Sequence, residues 1–230
     1  QQGLYNGVQT VSPNTSYCWH YWTLALDGLY MADVFEMEYA NAVSRGKISS
    51  TANVEEIYRT VFNRFEWVAN TMRDSSTGLY HHGWNGSTGN GSFWSRGIGW
   101  YAVALVDCID LMPSGSYKQG LIDNLPALFN GMLKYQDQAT GMWYNVVNRN
   151  GSLSNNKLET SGSAMMAYAM MKAYNKGWVG RTYGEAGLKA FNGVVNNKMS
   201  GSAGNYKVSD IYHKLLQCNQ KVSILIYYIL

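Results

Sequence analysis

The sequence predicts an all-α fold in which inner and outer helices alternate and close into an α/α toroid. Three observations lead there. Apolar residues recur at helical spacing along most of the chain. One polar-faced helix, a turn, a long loop and one apolar Gly/Ala/Met-rich helix repeat with a period of roughly 65 residues, longer than the repeats of open solenoids. Helices that are apolar nearly all round must be covered on every side, whereas one-sided helices can face water. Inner and outer helices placed in pairs meet both demands, and the loops entering the inner helices then share one end.

In chain order, LALDGLYMADVFEMEYA (Leu24 to Ala40) carries Leu26, Leu29, Tyr30, Val34 and Met37 at the spacing of an inner helix. VSRGKISSTAN (Val43 to Asn53) reads as a loop. Asn53 caps the next helix, with Glu55 and Glu56 in its first turn, where the macrodipole favours them. That helix runs to about Met72 with Ile57, Val61, Phe65 and Val68 on one face, and DSSTG stops it. A loop dense in Gly, Ser and Asn then leads to a second apolar helix, Ile98 to Leu111, ended by Pro113. A helix from Tyr117 to Tyr135 ends in DQATGMWY, an echo of DSSTGLYH at Asp74 to His81. After a polar loop, Asn145 to Lys157, LETSGSAMMAYAMMKAY lies over FWSRGIGWYAVALVDCI, with Gly97 against Gly162 and Ala102 against Ala167. A third outer helix spans Tyr183 to Asn196. Beyond Ser200 the pattern dissolves, and the closing VSILIYYIL is strand-prone and too short to span a bilayer. Only about three pairs are visible, fewer than a ring needs.

With 230 residues the chain can bury a sizeable core as one domain. Charged residues make up 14% and aromatic residues 14%, a bias that suits a carbohydrate-handling or secreted protein without fixing its compartment. The net charge of +3 comes with no basic cluster, which argues against a nucleic-acid partner. Cys18, Cys108 and Cys218 are too few and scattered for a disulfide framework or a zinc site, and Cys108 reads as a buried thiol. His20, His81, His82 and His213 are not at ligand spacing, so no metal is expected. GSTGNG at Gly86 to Gly91 lacks a preceding strand and a following Lys-Ser/Thr, so no nucleotide cofactor is expected either. Gln1 to Thr10 is polar, with no signal-peptide pattern, and reads as a mature start or an internal cut. Asn14, Asn85, Asn90 and Asn150 stand in sequons. The oligomeric state stays open.

The chemistry gathers in Thr77 to Asp107, where His81, His82, Trp84, Trp94, Arg96 and Trp100 cluster about a helix start. Aromatic planes stack on the apolar faces of sugar rings, and Arg forks onto a carboxylate, so the cluster reads as a site for an acidic sugar. Asp27 precedes Gly28 as Arg96 precedes Gly97 and Ser161 precedes Gly162, which brings three corresponding positions to one mouth. Asp27 lies among apolar neighbours, where burial would raise its carboxyl into the range useful for proton transfer. Plainer readings stand beside these. Asp27 could be held by a Tyr or Arg partner, Trp100 could be core, and one of the two histidines could be merely polar. The Gly83-Trp84 bend favours His82 for the pocket. Asp33, Glu36 and Glu38 read as solvated or helix-paired, and Glu159 either faces the mouth or caps its helix.

LDGLYMADVF (Leu26 to Phe35), TGLYHHGW (Thr77 to Trp84), FWSRGIGWYAVALVD (Phe93 to Asp107) and LETSGSAMMAYAMMKAY (Leu158 to Tyr174) together resemble the unsaturated rhamnogalacturonyl hydrolases, over about residues 17–197. The resemblance implies an incomplete (α/α)6-barrel, a single partial domain over 1–230 cut short at both ends, with 198–230 an atypical tail. It implies removal of a 4,5-unsaturated galacturonic acid from the non-reducing end of lyase-generated rhamnogalacturonan oligosaccharides. In that family an aspartate matching Asp27 protonates C4 of the enol ether and assists water at C5, and the hemiketal collapses. His82, Trp94, Arg96 and Trp100 match the family's substrate-lining residues. The implied partner is an acidic oligosaccharide, with no cofactor, metal, nucleic acid or membrane. Ala25 stands where the family has Trp, and the family's second pocket aspartate lies in N-terminal helices with no counterpart here. Two alternatives remain: an unsaturated glucuronyl hydrolase acting on glycosaminoglycan fragments, or a non-catalytic remnant that binds acidic oligosaccharide. The HGW and WSRGIGW wording favours the first reading.

Overall fold

A computed structural model describes residues 24–211 apart from 85–88, 91, 151 and 203. Cys18, Cys218, His20, His213, the sequons at Asn14 and Asn85, most of GSTGNG and the closing VSILIYYIL lie outside the described residues. Six helices stand within them: α1 (Asp27–Ser44), α2 (Val54–Thr71), α3 (Ser95–Leu111), α4 (Ser116–Leu133), α5 (Thr160–Asn175) and α6 (Arg181–Lys198). The inner helices α1, α3 and α5 pack side by side with α3 in the middle; α2 lies on α1, α4 on α3 and α6 on α5. Burial follows these roles. Twelve of the seventeen residues of α3 are buried, as a helix apolar all round requires. On α1, at the edge of the arc, Phe35 is 70% exposed. The outer α2 buries one stripe (Tyr58, Val61, Phe65, Val68), and its Asn53 cap accepts the Glu56 N–H at 3.3 Å.

Two inner helices start where periodicity did not place them. α1 opens at Asp27 because Leu24–Ala25 forms a short strand, β1, paired antiparallel with β2 (Gly83–Trp84), which pairs in turn with β3 (Gly89–Asn90). α3 opens at Ser95, with the Ile98 N–H donating to the Trp94 carbonyl at 3.0 Å. A first turn reading Ser-Arg-Gly has no apolar residue to announce it, so Arg96 and Gly97 lie inside the helix. β4 (Trp143–Tyr144) pairs with β5 (Leu158–Glu159) just before α5. The Ser95 N–H donates to the Asn145 carbonyl and Val147 N–H to the Phe93 carbonyl, both at 2.9 Å, which ties the two entering loops together. The loops thus form a hydrogen-bonded rim at the amino ends of the inner helices. Within the tail expected to lack pattern, the described residues form a hairpin, β6 (Met199–Ser202) with β7 (Asn205–Val208). Its residues are mostly solvated, so no alternation of apolar residues marked it in the sequence.

The echoing turns repeat atom by atom. Asp74 Oδ1 accepts from the Thr77 N–H and hydroxyl, each at 2.7 Å, and the Leu79 N–H donates to Thr77 Oγ1. Asp137 Oδ1 accepts from the Thr140 N–H and hydroxyl at 2.8 and 2.7 Å, and the Met142 N–H donates to Thr140 Oγ1. Gly78 and Gly141 take the left-handed conformation that turns the chain. Each turn docks on a glycine of the next outer helix: a Cβ at Gly131 would lie 2.2 Å from the Gly78 carbonyl oxygen, and one at Gly193 2.0 Å from that of Thr140. We expect Gly131→Ala and Gly193→Ala each to cost about 1–3 kcal/mol, through backbone displacement in a packed contact. Urea unfolding at unchanged m reads the loss, and a change within about 0.5 kcal/mol would mean the turn is not seated there.

Asp33 corrects an expectation. It is neither solvated nor paired within its helix; it is fully buried and accepts from Arg64 of α2 at 2.8 Å, while Arg64 also donates to Glu36 at 2.6 Å. Burial pushes the Asp33 carboxyl up to about 7, against the opposing pull of Arg64, and its Oδ2 has no hydrogen-bond partner among the described residues. Burial also works against the Arg64 charge, but Asp33 and Glu36 more than offset it and Arg64 stays protonated. Between 3.8 and about 7 the folded chain holds a proton on Asp33 that the unfolded chain has released. Stability should therefore fall as pH rises through that window, and Asp33→Asn should flatten the fall. Denaturant midpoints taken across the window test this; an equal slope in the variant would assign the fall to other groups.

Candidate active site

Asp27 is the first residue of α1, at the positive end of the helix dipole. The Leu26 N–H donates to the His82 carbonyl at 3.0 Å, which fixes the β2 strand beside it. His82 Nδ1 lies 3.9 Å from Asp27 Oδ1, close enough for a strong field but too long for a hydrogen bond. The Asp27 side chain is 34% exposed, less buried than the sequence implied, while His82 is only 5% exposed. Asp27 Oδ1 finds no hydrogen-bond partner among the described residues. Burial pushes the His82 imidazole down; the Asp27 carboxylate works against this and the Arg96 guanidinium adds to it. His82 is therefore neutral at neutral pH. Arg96, in the first turn of α3, is near enough to act on that imidazole. Asp27, His82 and Arg96 share one mouth.

The close approach of the inner helices depends on glycine at two repeated positions. A Cβ at Gly97 would lie 2.4 Å from His82 Nδ1, so the imidazole sits flush on the first turn of α3. A Cβ at Gly162 would lie 2.6 Å from the Ser95 carbonyl carbon and 2.8 Å from the Arg96 nitrogen. The first turns of α3 and α5 are thus in contact at Arg96.

The other expected residues take different places. Trp94 is half-buried, is the N-cap residue of α3 and bridges to Val146. Trp100 is half-buried with its ring 4.7 Å from Tyr30 of α1. Trp84 meets Trp67 edge-on at 5.4 Å, and His81 packs on Phe93 at 4.7 Å, so His82 is the histidine beside the acid. Glu159 caps α5, accepting from the Gly162 N–H and the Ser161 hydroxyl. Cys108 is buried, and burial pushes its thiol well up. Among the described residues no group of three or more His, Cys, Asp or Glu could hold a metal ion, and no helix is long and apolar enough to cross a membrane.

One feature had not been foreseen. Below the mouth, α1, α3 and α5 line a cavity of about 420 Å³ that includes Tyr30, Val103, Asp107, Tyr168 and Lys172. Asp107 accepts from the Tyr168 hydroxyl and from Lys172, both at 2.9 Å. Tyr168 and Lys172 stand one turn apart on α5, and Asp107 interrupts an apolar helix; those were the available signals. Tyr30, which lines this cavity, also lies against Trp100.

The profile of Glycosyl Hydrolase Family 88 matches residues 3–219. The chain belongs to that family. Protein Atu3128 of Agrobacterium fabrum is 31% identical over 166 residues, 68% of this chain and 66% of that protein. The Bacillus subtilis unsaturated rhamnogalacturonyl hydrolase YesR is 26% identical over 157 residues, 65% of this chain and 42% of that protein. The solved structure of a family 105 glycoside hydrolase from C. acetobutylicum superposes with a TM-score of 0.70 at 29% identity, over 78% of this chain and 50% of that one. This family 88 chain spans half of that structure, and the fold is an incomplete (α/α)6-barrel, with three helix pairs among the described residues.

The seat of His82 can be tested without an activity. We expect Gly97→Ala to cost about 1–3 kcal/mol in the native background. In a His82→Ala background, where the ring no longer fills that space, the cost should shrink by at least about 1 kcal/mol. Additive losses in urea unfolding would mean that the imidazole does not rest on α3.

Proposed function

We infer that the mouth binds a 4,5-unsaturated uronic acid and hydrates its double bond, releasing the sugar from the non-reducing end of lyase-generated rhamnogalacturonan oligosaccharides. The observation that carries this reading is the setting of Asp27: a one-third-exposed (34%) side chain with an unpartnered oxygen among the described residues, 3.9 Å from a buried neutral imidazole on which Arg96 also acts. Arg96 would fork onto the uronate carboxylate, and Trp94 and Trp100 would face the ring. Protonated Asp27 would give its proton to C4, leaving positive charge shared by C5 and the ring oxygen. The Asp27 carboxylate would then take a proton from water as its oxygen bonds to C5. The hemiketal opens by breaking the bond from C5 to the ring oxygen, and the hemiacetal left at C1 expels the next sugar. This route needs one carboxyl that changes role, unlike the two flanking carboxyl groups of direct glycosidic cleavage. His82, neutral and buried, would hold Asp27 in place without cancelling its charge. Membership of family 88 and the name carried by YesR support the same reading.

The test follows the enol-ether ultraviolet absorbance with unsaturated disaccharides prepared from rhamnogalacturonan and from glycosaminoglycan. We expect loss on the first, lowered on the order of 10²–10⁴-fold in Asp27→Asn, the usual weight of general acid–base catalysis. Loss on the glycosaminoglycan substrate alone would move the substrate class. No loss on either would reject hydration chemistry for this chain.

A further inference from the structure

We propose that the β6–β7 hairpin is an arm of the mouth, and that Tyr206 on it stacks on a sugar on the leaving-group side of an acidic oligosaccharide. This rests on the reading of the mouth given above.

The foot of the hairpin is built into the rim. The Thr160 N–H donates to the Asp210 carbonyl at 3.2 Å, and the Thr160 hydroxyl donates to the Ser209 carbonyl at 2.6 Å. The Ser209 N–H donates to the Lys198 carbonyl at 2.9 Å, and Lys198 Nζ pairs with Asp210 Oδ2 at 2.7 Å. Thr160 opens α5, so its N–H is one of the donors that a helix start leaves without a partner; the hairpin supplies that partner. Asp210 has φ 52, the left-handed region that a non-glycine residue occupies at a cost of about 1–2 kcal/mol. Its carbonyl reaches Thr160 from that bend. The first turn of α5 in turn rests on α3 at Gly162, where a Cβ would lie 2.8 Å from the Arg96 backbone nitrogen. The foot therefore stands beside the stretch of backbone from which the Arg96 side chain extends.

The position of Tyr206 follows from strand geometry. Tyr206 stands four positions before Asp210, so at the rise of an extended strand it lies at most roughly 13 Å from the foot. The uronic acid is the terminal sugar, so any other sugar that the arm meets lies on the leaving-group side. Tyr206 is 55% exposed, an aromatic plane open to a partner. It shares a side of β7 with Val208, which is partly buried, so the ring lies on the side of the strand that faces the body. Lys198 pairs with the Asp210 carboxylate, and Lys157 on the rim also acts on it, so the foot is held charged and fixed. An oligosaccharide passing the rim meets an open aromatic face. The plainer account is that Tyr206 covers Gly201, its partner across the hairpin.

Two substrates and two variants separate these accounts. With a methyl glycoside of the unsaturated uronic acid and with a lyase-generated unsaturated tetrasaccharide, KM and kcat are measured for the native chain, Tyr206→Ala and Tyr206→Phe. We expect Tyr206→Ala to raise KM for the tetrasaccharide about two- to tenfold, the weight of one stacking contact, with kcat and the methyl glycoside unchanged. Tyr206→Phe should keep the native values. An unchanged KM for the tetrasaccharide, or an equal rise for both substrates, would overturn the arm. If the native chain turns over neither substrate, the hydration chemistry fails, and the arm is then judged by calorimetric Kd for the tetrasaccharide in native and Tyr206→Ala chains. Equal Kd values, or no binding at all, would overturn it.

Discussion

The site depends on how closely the amino ends of α3 and α5 approach. At Gly162 the backbone of α5 comes within van der Waals distance of Ser95 and Arg96, and at Gly97 the first turn of α3 accepts the face of the His82 ring. Neither contact tolerates a Cβ without displacement, because the atoms facing it are backbone or a ring already in place. Interiors are packed as densely as organic crystals, so the positions of Arg96 and His82 are set by these contacts and not by the flexible loops between. The loops are then stitched to that frame, Leu26 to His82 and Ser95 to Asn145. The mouth is in this sense a consequence of inner-helix packing.

The outer layer holds the frame by a second repeated contact. The outer helices α2 and α4 each end in an Asp-x-x-Thr-Gly turn whose aspartate gathers the threonine N–H and hydroxyl, and each turn sits on a glycine of the next outer helix. The turn satisfies its own polar groups, so it can be packed against a neighbour without leaving donors unmet. That is why the unit can be repeated: the connection that ends one pair is also the surface on which the next pair rests. Asp33, Arg64 and Glu36 add a polar tie between the first inner and outer helices, at the desolvation cost that leaves the Asp33 carboxyl near neutrality.

Much of this was legible in the residues, for identifiable reasons. The inner helices announced themselves because a helix covered on all sides has little need of polar residues, and the turns because their Asp, Thr and Gly have fixed roles. Asp27, Arg96 and Ser161 aligned because each precedes the glycine of its helix, and the first two do meet at the mouth with His82. Helix starts were misplaced where the first turn is polar, as at Ser95. Asp33 escaped because sequence spacing shows which face of α1 it occupies but not that Arg64 of α2 waits opposite. The hairpin after Lys198 escaped because strands solvated on both faces carry no alternation. The cavity at Asp107 and Lys172 is formed by three separate helices, and no local pattern reports such a meeting.

The electrostatics of the mouth follow from the same architecture. Three helices present their amino ends to one rim, and each leaves N–H groups and a partial positive charge there. One of those ends is already capped by the chain: α5, by Glu159 and by the Asp210 carbonyl. At α1 Asp27 itself stands in the first turn, where an acidic side chain complements the helix dipole, 3.9 Å from the His82 ring. Burial of His82 against Gly97, with Arg96 nearby, keeps the imidazole neutral. Gly97, which lets that ring rest on the first turn of α3, therefore also helps set its charge beside Asp27.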